Sequence, residues 1–486
     1  MRKLHQRQLL ELLETIREAQ KKGLYGDCQE GALAMIEFID HQEGKGTRTA
    51  DLLQEYSYLL YQAHNGEIDR DPLRKQLYRI ESSIKTDLRP NKYKVLFLPY
   101  YDNTWESMKS VYEAFSQDPL FETEVVIIPI IRNTNEGPKF VWEDYLTPAG
   151  ILNTHYDQYS FEIDQPDVVF LNQPYDGVNV PKFRSENIRK YTGLMVYIPY
   201  YGMKLIGSRS LVTGETRLES IHRCDLFIAQ SDVFREYYLK GTPSYSRALV
   251  CGHPKCDVLY AARTKGAFTR HPDWEEAIGD RKVILLNTHY SYMVDGAIPH
   301  PGLKRLLEAI VKNDDLFLIW RPHPQAFLMK MTPHVHAMLE FASAHKRMVV
   351  DRTPSIMAAF MYANAVISLF PSSIVMDALF LDLPTFVMGL DDYDGSSTSS
   401  SSHFMAIAHE DTSQPLPSSN ANSDAMRRYI EESIYRPLDM FIKEVQLDKD
   451  SKRESRREFR KREFPNIDGT VAESILESIK RKLSSD

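Results

Sequence analysis

Hydrophobic positions follow two different periods along the chain and divide it into regions. Up to about residue 88, apolar residues recur at intervals of three and four, as at Leu9, Leu13 and Ile16, which is typical of amphipathic helices. Pro90 ends this series, and from residue 92 short apolar runs alternate with longer helical patterns. Strands that alternate with helices indicate a parallel sheet. We therefore predict a helical module followed by an α/β protein.

The short apolar runs fall into two sets separated by a polar segment, 258–280, that we expect to connect two domains. The expected strands are 95–99, 125–131, 167–171, 194–198, 226–229 and 248–251 in the first set, and 283–286, 316–320, 348–351, 366–370 and 385–388 in the second. The predicted domains are a helical module (1–90), two Rossmann-like domains (91–262 and 281–422) and C-terminal helices (423–486). Between these elements, 391–402 is expected to be a loop rich in Asp, Gly and Ser.

Composition excludes several classes of protein. The 486 residues are too many for one core, and 43% hydrophobic with 26% charged residues is ordinary for a globular protein. The net charge of -8 argues against a nucleic-acid partner. Four cysteines without metal-ligand spacing suggest a reducing cytoplasm, and the absence of a long apolar run limits any membrane role to peripheral contact. We expect no metal and no cofactor.

The segment 365–377 has the pattern of an anion site. An apolar run ends at Pro371, and Ser372 and Ser373 stand where a helix begins. The backbone N–H groups and the positive end of the helix dipole would then face outward beside two hydroxyls. Asp377 would lie within reach of a ribose diol or an acceptor hydroxyl. On this segment alone, an ordinary capped helix on a buried strand is the favoured interpretation.

Two other strand ends of the second set add phosphate-binding chemistry. Arg321 and His323 follow one expected strand, and Asn287 and Thr288 follow another. A planar guanidinium can donate two parallel hydrogen bonds to phosphate oxygens. An imidazole can donate to a phosphate or protonate a leaving group. Each residue alone has a structural explanation, but together they predict a site for a donor diphosphate. No GxGxxG or Gly-rich P-loop accompanies them, which disfavours a dehydrogenase or an NTPase.

Three strand ends of the first set repeat the dipeptide Pro-Tyr. Ligands of parallel sheets bind beyond the carboxyl ends of the strands, so aromatic side chains and carboxylates would surround one crevice. Turn chemistry with packed tyrosines explains the pattern equally well. The residues expected on this acceptor side are Tyr101, Trp105, Tyr175 and Tyr200.

From about residue 92 to residue 480 the chain resembles the CDP-glycerol glycerophosphotransferases of teichoic-acid and capsule synthesis. Arg321-Pro322-His323-Pro324 is similar to the family's Lys-x-His-Pro, and Ser372-Ser373-x-x-x-Asp377 to its Ser-Ser-x-x-x-Asp. The segment 252–257, Gly-His-Pro-Lys-Cys-Asp, resembles Gly-x-Pro-Arg-x-Asp. The closing segment 464–479, Trp105-Glu106-Ser107 and 197–200 also resemble family segments.

This resemblance implies a GT-B pair of Rossmann domains whose last helix crosses back to the first half. It also implies transfer of glycerol phosphate, or a similar polyol phosphate, from a CDP-linked donor to a lipid-linked or polysaccharide acceptor at the inner face of the cell membrane. The residues that would hold the donor are Arg321, His323, Ser372, Ser373 and Asp377, and we add Asn287 and Thr288 from the strand ends.

The chain departs from the family at its general base. The family commonly has Trp-His-Gly where this chain has Tyr200-Tyr201-Gly202, and a phenol with a pKa of about 10 is a poor base. The candidate catalytic residues are therefore His323, Asp176 and Tyr201, with Asp102 and His155 as further substitutes for the base. We expect direct in-line displacement at phosphorus without a covalent intermediate.

Three questions stay open at the level of sequence. The same fold could serve a sugar transferase or a sugar-nucleotide epimerase with a UDP or CMP donor, or a non-catalytic nucleotide-binding scaffold. The basic run 449–462 predicts a solvated helix, with attraction to an anionic membrane as the alternative. Self-association through the helical module is a further alternative to simple core packing.

Overall fold

A computed structural model describes residues 1–100, 102–129, 131–134, 137–140, 150–201, 214–295, 300–369, 372–388, 408–410 and 423–485. The chain forms two compact units. The first comprises 1–95, 116–124 and 160–168, and the second comprises 96–115, 125–159 and 169–486. The expected loop 391–402 and the side chains of Tyr101 and Asp102 lie outside the described residues.

Four helices form most of the first unit. They are α1 (Lys3–Lys21), α2 (Tyr25–Glu43), α3 (Arg48–His64) and α4 (Asp71–Thr86). Helix α3 begins at Thr47, whose hydroxyl accepts from the N–H of Ala50 at 3.3 Å, as expected of an N-cap. One apolar stripe from each helix is buried in a common core, which includes Leu13, Ile36 and Leu53. The apolar residues that recur with a 3.6-residue period in the sequence are therefore the ones that pack against each other in this helical bundle.

Two six-stranded sheets follow the orders β2-β1-β5-β6-β7-β8 and β11-β10-β9-β12-β13-β14. Every paired strand described in the second sheet is parallel, as are β6–β7 and β7–β8 in the first. A separate antiparallel pair is formed by β3 and β4. The strands are β1 (Tyr93–Leu98), β2 (Phe121–Val125), β3 (Ile131–Thr134), β4 (Gly137–Phe140), β5 (Val168–Leu171), β6 (Leu194–Tyr197), β7 (Leu226–Ala229), β8 (Ala248–Val250), β9 (Lys282–Thr288), β10 (Leu316–Pro322), β11 (Met348–Val350), β12 (Ala365–Ser368), β13 (Thr385–Val387) and β14 (His409–Glu410).

Helices connect and flank these strands. They are α5 (Lys109–Gln117), α6 (Phe161–Asp164), α7 (Ser185–Ile188), α8 (Glu219–His222), α9 (Asp232–Phe234), α10 (Lys255–Lys265), α11 (Pro272–Ile278), α12 (Pro301–Lys312), α13 (Pro333–Ala344), α14 (Met357–Tyr362), α15 (Ser373–Phe380), α16 (Ser423–Ile430), α17 (Arg436–Gln446), α18 (Arg453–Glu463) and α19 (Val471–Ser485). Short 3₁₀ turns lie at Asp102–Ser107, Asp176–Val178, Pro181–Phe183, Pro243–Tyr245, Tyr290–Tyr292 and Pro324–Leu328, and π-helical turns at Arg235–Leu239 and Glu431–Tyr435.

The second sheet is buried on both faces. Val283 and Leu285 of β9 belong to one apolar cluster, and Ile284 and Leu286, which alternate with them, belong to the other. This explains the continuous apolar run in the sequence, since a strand covered by helices on both sides has no polar face. The register places Asn287 of β9 opposite Arg321 of β10 on one side and Ser368 of β12 on the other. Three strands therefore end together at one edge.

Two expected elements differ from the structure. The expected polar connector 258–280 is largely helical: it holds most of α10, which begins at Lys255, and all of α11. Leu259 and Ala262 of α10 are buried, and Gly266, at φ +64°, ends that helix. The strand expected at 125–131 lies at Phe121–Val125. This strand lies at the edge of the first sheet, and its three middle residues are partly exposed. Because these three residues are polar or charged, the strand has no apolar run by which the sequence could identify it.

The last two helices, α18 and α19, contact the part of the second unit that contains β6, β7 and β8, which we call the first half. Glu463 at the end of α18 accepts from the hydroxyl of Ser231 at 2.9 Å, and the Asp257 carboxylate accepts from the N–H groups of Val471 (3.1 Å) and Ala472 (2.8 Å) at the start of α19. Gly252 has φ +96°, and a Cβ there would lie 2.7 Å from the carbonyl oxygen of Pro465. Within the described residues no helix combines the length and the apolar content needed to cross a bilayer.

Candidate functional site

The carboxyl edges of the two sheets face each other within the second unit. Lys255, which follows β8, places Nζ 2.5 Å from Oδ2 of Asp377 in α15 and 3.7 Å from Oε2 of Glu106, which follows β1. Glu106 also accepts a hydrogen bond from the hydroxyl of Ser355, which follows β11. These contacts join loops from both sheets, so the space between the edges is the crevice in which ligands of such folds bind.

Asn287 organises the edge of the second sheet. Its Nδ2 donates to the carbonyl oxygen of Arg321 at 3.2 Å, and its Oδ1 accepts from the hydroxyls of Ser368 (3.4 Å) and Ser372 (3.3 Å). One buried amide therefore ties together the ends of β9, β10 and β12 and the start of α15. We call Asn287, His323, Ser368 and Ser372 the second-sheet edge.

Helix α15 begins at this edge with the paired serines. Ser372 is the N-cap residue, but its hydroxyl does not cap the helix and donates to Asn287 instead. The first N–H groups of any helix have no partner within the helix, and the helix dipole favours an anion there. Ser372 and Ser373 are both partly exposed. The structure therefore has the predicted helix start at this strand end, and its role as an anion site stays a prediction.

His323 lies on the loop that follows β10. Its backbone N–H donates to the carbonyl oxygen of Thr288 at 2.9 Å, and its ring lies 5.6 Å from the ring of His289 and 5.4 Å from that of Tyr290. The flanking Pro322 and Pro324 restrict this backbone. The imidazole is partly exposed at the end of β10, and β9 lies between this strand and β12.

Two predicted donor residues are engaged elsewhere in the structure. The Arg321 guanidinium is 2.6 Å from Oδ2 of Asp351 and also donates to Thr353 and to two carbonyl oxygens of the following loop. Thr288 is fully buried, and its hydroxyl accepts from Nε1 of Trp320 at 3.1 Å. Arg321 therefore shapes the loop that reaches Ser355, and the Thr288 side chain supports the core beneath the edge.

Asp377 also has a protein partner. It is 4% exposed and pairs with Lys255. Burial raises the pKa of the Asp377 carboxyl and Lys255 opposes this rise. Burial would lower the pKa of Lys255, but the carboxylates of Asp377 and Glu106 outweigh it and raise that pKa. The motif aspartate thus connects α15 to α10 in the structure.

The first-half strand ends form a cluster of tyrosines around one carboxylate. Tyr175, after β5, donates to Oε1 of Glu215 at 2.5 Å, and Tyr201, after β6, donates to Oε2. The ring of Tyr200 lies 4.5 Å from that of Tyr201 and 5.3 Å from that of Tyr100, after β1. We call Tyr175, Tyr200, Tyr201 and Glu215 the tyrosine–glutamate cluster. Burial, followed by the charge of Glu215, raises the pKa values of Tyr175 and Tyr201.

The acceptor-side candidate Trp105 and the candidate bases Asp176 and His155 have other contacts. Trp105 is buried with its ring 5.3 Å from that of Tyr112. Asp176 accepts from the N–H and hydroxyl of Ser185 at 2.9 and 2.5 Å and holds the start of α7. His155 is a partly exposed residue beside Asp157.

His253 connects the two parts of the crevice. It is buried, its Nε2 donates to the carbonyl oxygen of Pro199 at 2.8 Å, and its Nδ1 accepts from the N–H of Lys255 at 3.2 Å. Burial lowers the pKa of His253 to about 4, so the ring is neutral at physiological pH. It joins the Pro199-Tyr200-Tyr201 strand end to the Lys255–Asp377 pair.

The basic run differs from the expected solvated helix. Arg456 of α18 is fully buried, with Nε 3.1 Å from Asp382 and a second ion pair to Asp450. Arg460 donates to the carbonyl oxygen of Phe380 at 2.7 Å. One face of α18 therefore packs against the end of α15, while Arg453, Arg457 and Lys461 are exposed.

The sequence predicts no role for Glu215, Lys255 or Glu106. Lys255 and Glu106 lie inside segments that resemble family motifs, so the resemblance could have identified them as candidate site residues. Glu215 has no motif and its partners are 40 and 14 residues away, which no local pattern shows. Among the described residues, no group of three or more His, Cys, Asp or Glu side chains could hold a metal ion.

No family model and no curated protein sequence matches this chain. Solved structures similar to it include a putative UDP-N-acetylglucosamine 2-epimerase from Listeria monocytogenes (TM-score 0.53, 14% identity, 81% of this chain and 98% of that one) and S. aureus MnaA with UDP (0.52, 14%, 81% and 97%). The wall teichoic acid polymerase TagF has a TM-score of 0.49 at 13% identity over 90% of this chain and 99% of its own. At these identities the epimerase structures show a shared fold and no more. The predicted GT-B-like pair of parallel-sheet α/β domains with N-terminal helices is thereby confirmed.

Proposed function

We propose that this protein is a transferase that moves glycerol phosphate, or a related polyol phosphate, from a CDP-linked donor to a hydroxyl acceptor. The observation that supports this most is the second-sheet edge, where Asn287 joins three strand ends to the start of α15. A helix N-terminus with two serines, together with an imidazole that follows another strand of the same sheet edge, suits a diphosphate.

The donor would lie with its diphosphate between Ser372, Ser373 and the ring of His323. The first-turn N–H groups of α15 would stabilise the charge that develops on the leaving nucleotide as the P–O bond breaks. His323 would donate a hydrogen bond to the phosphate or protonate the leaving oxygen. The acceptor hydroxyl would enter from the first half and attack the phosphorus of the glycerol phosphate in line. CDP as the carrier rests on the motif resemblance.

Arg321, Thr288 and Asp377 have supporting roles in this proposal. The guanidinium of Arg321 fixes the loop 351–355, and Asp377 fixes the axis of α15 through Lys255. A helix N-terminus serves as an anion site only when its direction is fixed, so these residues would act on donor affinity indirectly.

A second candidate is a sugar-nucleotide epimerase that uses a UDP donor. The observation in its favour is the fold, since the similar structures with TM-scores above 0.5 include UDP-N-acetylglucosamine 2-epimerases. The second-sheet edge would bind a UDP diphosphate with the same groups. The two candidates differ in the chemistry at the first half and in the nucleotide released.

Separate incubations with CDP-glycerol and UDP-N-acetylglucosamine distinguish the candidates. Release of CMP, with glycerol phosphate transferred to a polyol acceptor, is the expected result. Release of UDP or inversion at C2, with CDP-glycerol inert, would replace the proposal with the epimerase. Nucleotide binding by calorimetry without turnover of either donor would indicate a non-catalytic scaffold.

Two variants test the site assignment. His323→Ala should lower turnover by about 10²-fold or more while the protein stays folded. With the donor bound, the Ser372 hydroxyl would donate to the phosphate instead of to Asn287, so Ser372→Ala should weaken donor binding by about tenfold. His336→Ala, an exposed histidine of α13, is the matched control and should leave both quantities unchanged. Normal turnover in His323→Ala would contradict the assignment.

A further inference from the structure

Two phenols from neighbouring strand ends donate to the two oxygens of one carboxylate. Tyr175 and Tyr201 follow β5 and β6, which are adjacent in the first sheet, and Glu215 accepts from both. Each oxygen of the Glu215 carboxyl group therefore accepts one phenolic hydrogen bond. The two tyrosines are the hydrogen-bond donors of the cluster, and Glu215 is the acceptor.

The titration behaviour of the phenols agrees with this assignment. Burial and the nearby carboxylate both raise the pKa values of Tyr175 and Tyr201, so neither phenol ionises near neutral pH. Tyr201 occupies the position of the general base in the family that this chain resembles. In this structure its phenol donates a hydrogen bond to Glu215. In this cluster the group that accepts both hydrogen bonds is Glu215.

Glu215 keeps capacity for a ligand. Each carboxylate oxygen has two acceptor positions, and one phenol occupies one of them on each side. The residue is partly exposed, and Tyr175 beside it is 36% exposed. A hydroxyl that enters the crevice could thus donate to the same carboxylate.

The cluster is connected to the second-sheet edge by a short series of contacts. His253 donates to the carbonyl oxygen of Pro199, immediately before Tyr200 and Tyr201, and accepts from the N–H of Lys255. Lys255 pairs with Asp377 in α15, the helix that begins at Ser372. Both the cluster and the anion site therefore lie at carboxyl edges of sheets that face each other.

We propose that Glu215 is the general base for the acceptor hydroxyl and that Tyr175 and Tyr201 fix its carboxylate. This inference rests on the proposed function, whose base the motif resemblance leaves unassigned. The acceptor O–H gives its proton to Glu215, its oxygen forms a bond to the phosphorus of the donor, and the P–O bond to CMP breaks with the electron pair leaving on CMP. Glu215 then releases the proton to solvent.

A purely structural role for the cluster makes a different prediction. If the phenols only hold residues 214–216 in place, then Glu215→Gln should lower stability and leave kcat per folded molecule nearly unchanged. If Glu215 is the base, the same change should lower kcat without changing donor affinity, because the donor binds to the other half.

The experiment compares Glu215→Gln with Tyr175→Phe and with Glu219→Gln, a control at an exposed carboxylate on α8. We expect Glu215→Gln to lose about 10²-fold or more in kcat. Its dissociation constant for CDP-glycerol should stay within about twofold of the wild-type value. Tyr175→Phe keeps the carboxylate and should lose less than about tenfold, and Glu219→Gln should match the wild type. A kcat of Glu215→Gln within a few-fold of wild type would overturn the proposal.

A binding measurement separates failure of this inference from failure of the proposed function. Glycerol, as an acceptor probe, is titrated into wild type and Glu215→Gln by ligand-detected NMR without any donor. Weaker glycerol binding in the variant supports a hydroxyl site at Glu215 even if CDP-glycerol proves inert. Equal glycerol binding in both proteins, together with an inert wild type, would overturn the hydroxyl site as well as the transferase.

Discussion

The Lys255–Asp377 ion pair lies in the crevice with almost no exposure. The Lys255 side chain is 14% exposed and that of Asp377 is 4% exposed. Glu106 adds a second carboxylate at 3.7 Å, so one ammonium serves two carboxylates. Such pairs are costly to break, because removal of one partner leaves an uncompensated buried charge.

Lys255→Met should therefore lower the free energy of unfolding by about 3–5 kcal/mol. The double variant Lys255→Met with Asp377→Leu should recover part of this loss, because the unpaired carboxylate is then removed. Urea denaturation measures both changes. Lys304→Met, which removes one partner of an exposed pair with Glu308 at 4.0 Å, is the control and should cost less than about 1 kcal/mol. A cost below 1 kcal/mol for Lys255→Met would contradict the buried pair.

His253 should make stability depend on pH. Its pKa is about 4 in the folded protein, whereas the unfolded value is about 6.5. Between these values the unfolded chain binds a proton that the folded chain does not, so stability falls as pH decreases from 6.5 to 4. The shift corresponds to about 3 kcal/mol.

The pH dependence of unfolding in wild type and His253→Gln checks this prediction. Glutamine can still donate to Pro199 and accept from Lys255, but it does not titrate. The variant should show a smaller decrease in stability between pH 6.5 and pH 4. Identical slopes in the two proteins would show that His253 is not neutral and buried as described.

At the scale of elements, Asp257 fixes the last helix. It lies in α10 and accepts from the first N–H groups of α19, so it acts as an N-cap supplied from a distant part of the chain. Asp257→Ala should cost about 1–2 kcal/mol and speed amide exchange over residues 471–485. The control is Glu473→Gln, an exposed residue in the first turn of α19. Unchanged exchange in Asp257→Ala would contradict the cap.

Helix α18 depends on one buried arginine. Arg456 pairs with Asp382, which follows α15, and with Asp450. Arg456→Met leaves both carboxylates without this partner and should cost about 3–5 kcal/mol by chemical denaturation. Arg453→Met, on the exposed face of the same helix, should change stability by no more than about 0.5 kcal/mol. Equal effects of the two variants would favour the solvated helix that the charge pattern predicted.

At the scale of the whole molecule, the C-terminal helices complete the second unit. Phe459, Phe464, Ile475 and Ile479 are buried, and the Ser231–Glu463 and Asp257–Val471 contacts anchor them to the first half. Each such side chain is worth about 1.5–3 kcal/mol, and together they rival the 5–15 kcal/mol of a typical domain.

Truncation after residue 452 should therefore abolish cooperative unfolding or leave the protein aggregated. Calorimetry and gel filtration measure this outcome. Removal of only residues 484–486, a cut that begins at the exposed Ser484, should leave the transition unchanged. A cooperative transition at the wild-type temperature in the long truncation would show that α18 and α19 are not part of the core.

The amino-acid sequence by itself determined the fold class and the strand ends that matter. Apolar runs of β9, β10 and β12 identify buried strands, because parallel strands covered on both faces have no polar alternation. Pro371 and the paired serines identify the start of α15, because capping and φ restriction are local effects. Only the tertiary structure decided what the charged side chains contact.

Arg321 meets Asp351, Lys255 meets Asp377 and Tyr201 meets Glu215, at separations of 30, 122 and 14 residues. The physical reason is that hydrogen bonds and ion pairs depend on which loops the folded sheets bring to one edge. Local periodicity holds no information about such partners. The motif residues can therefore be recognised in the sequence. Which of them are free to contact a ligand and which support the structure depends on how the folded chain packs.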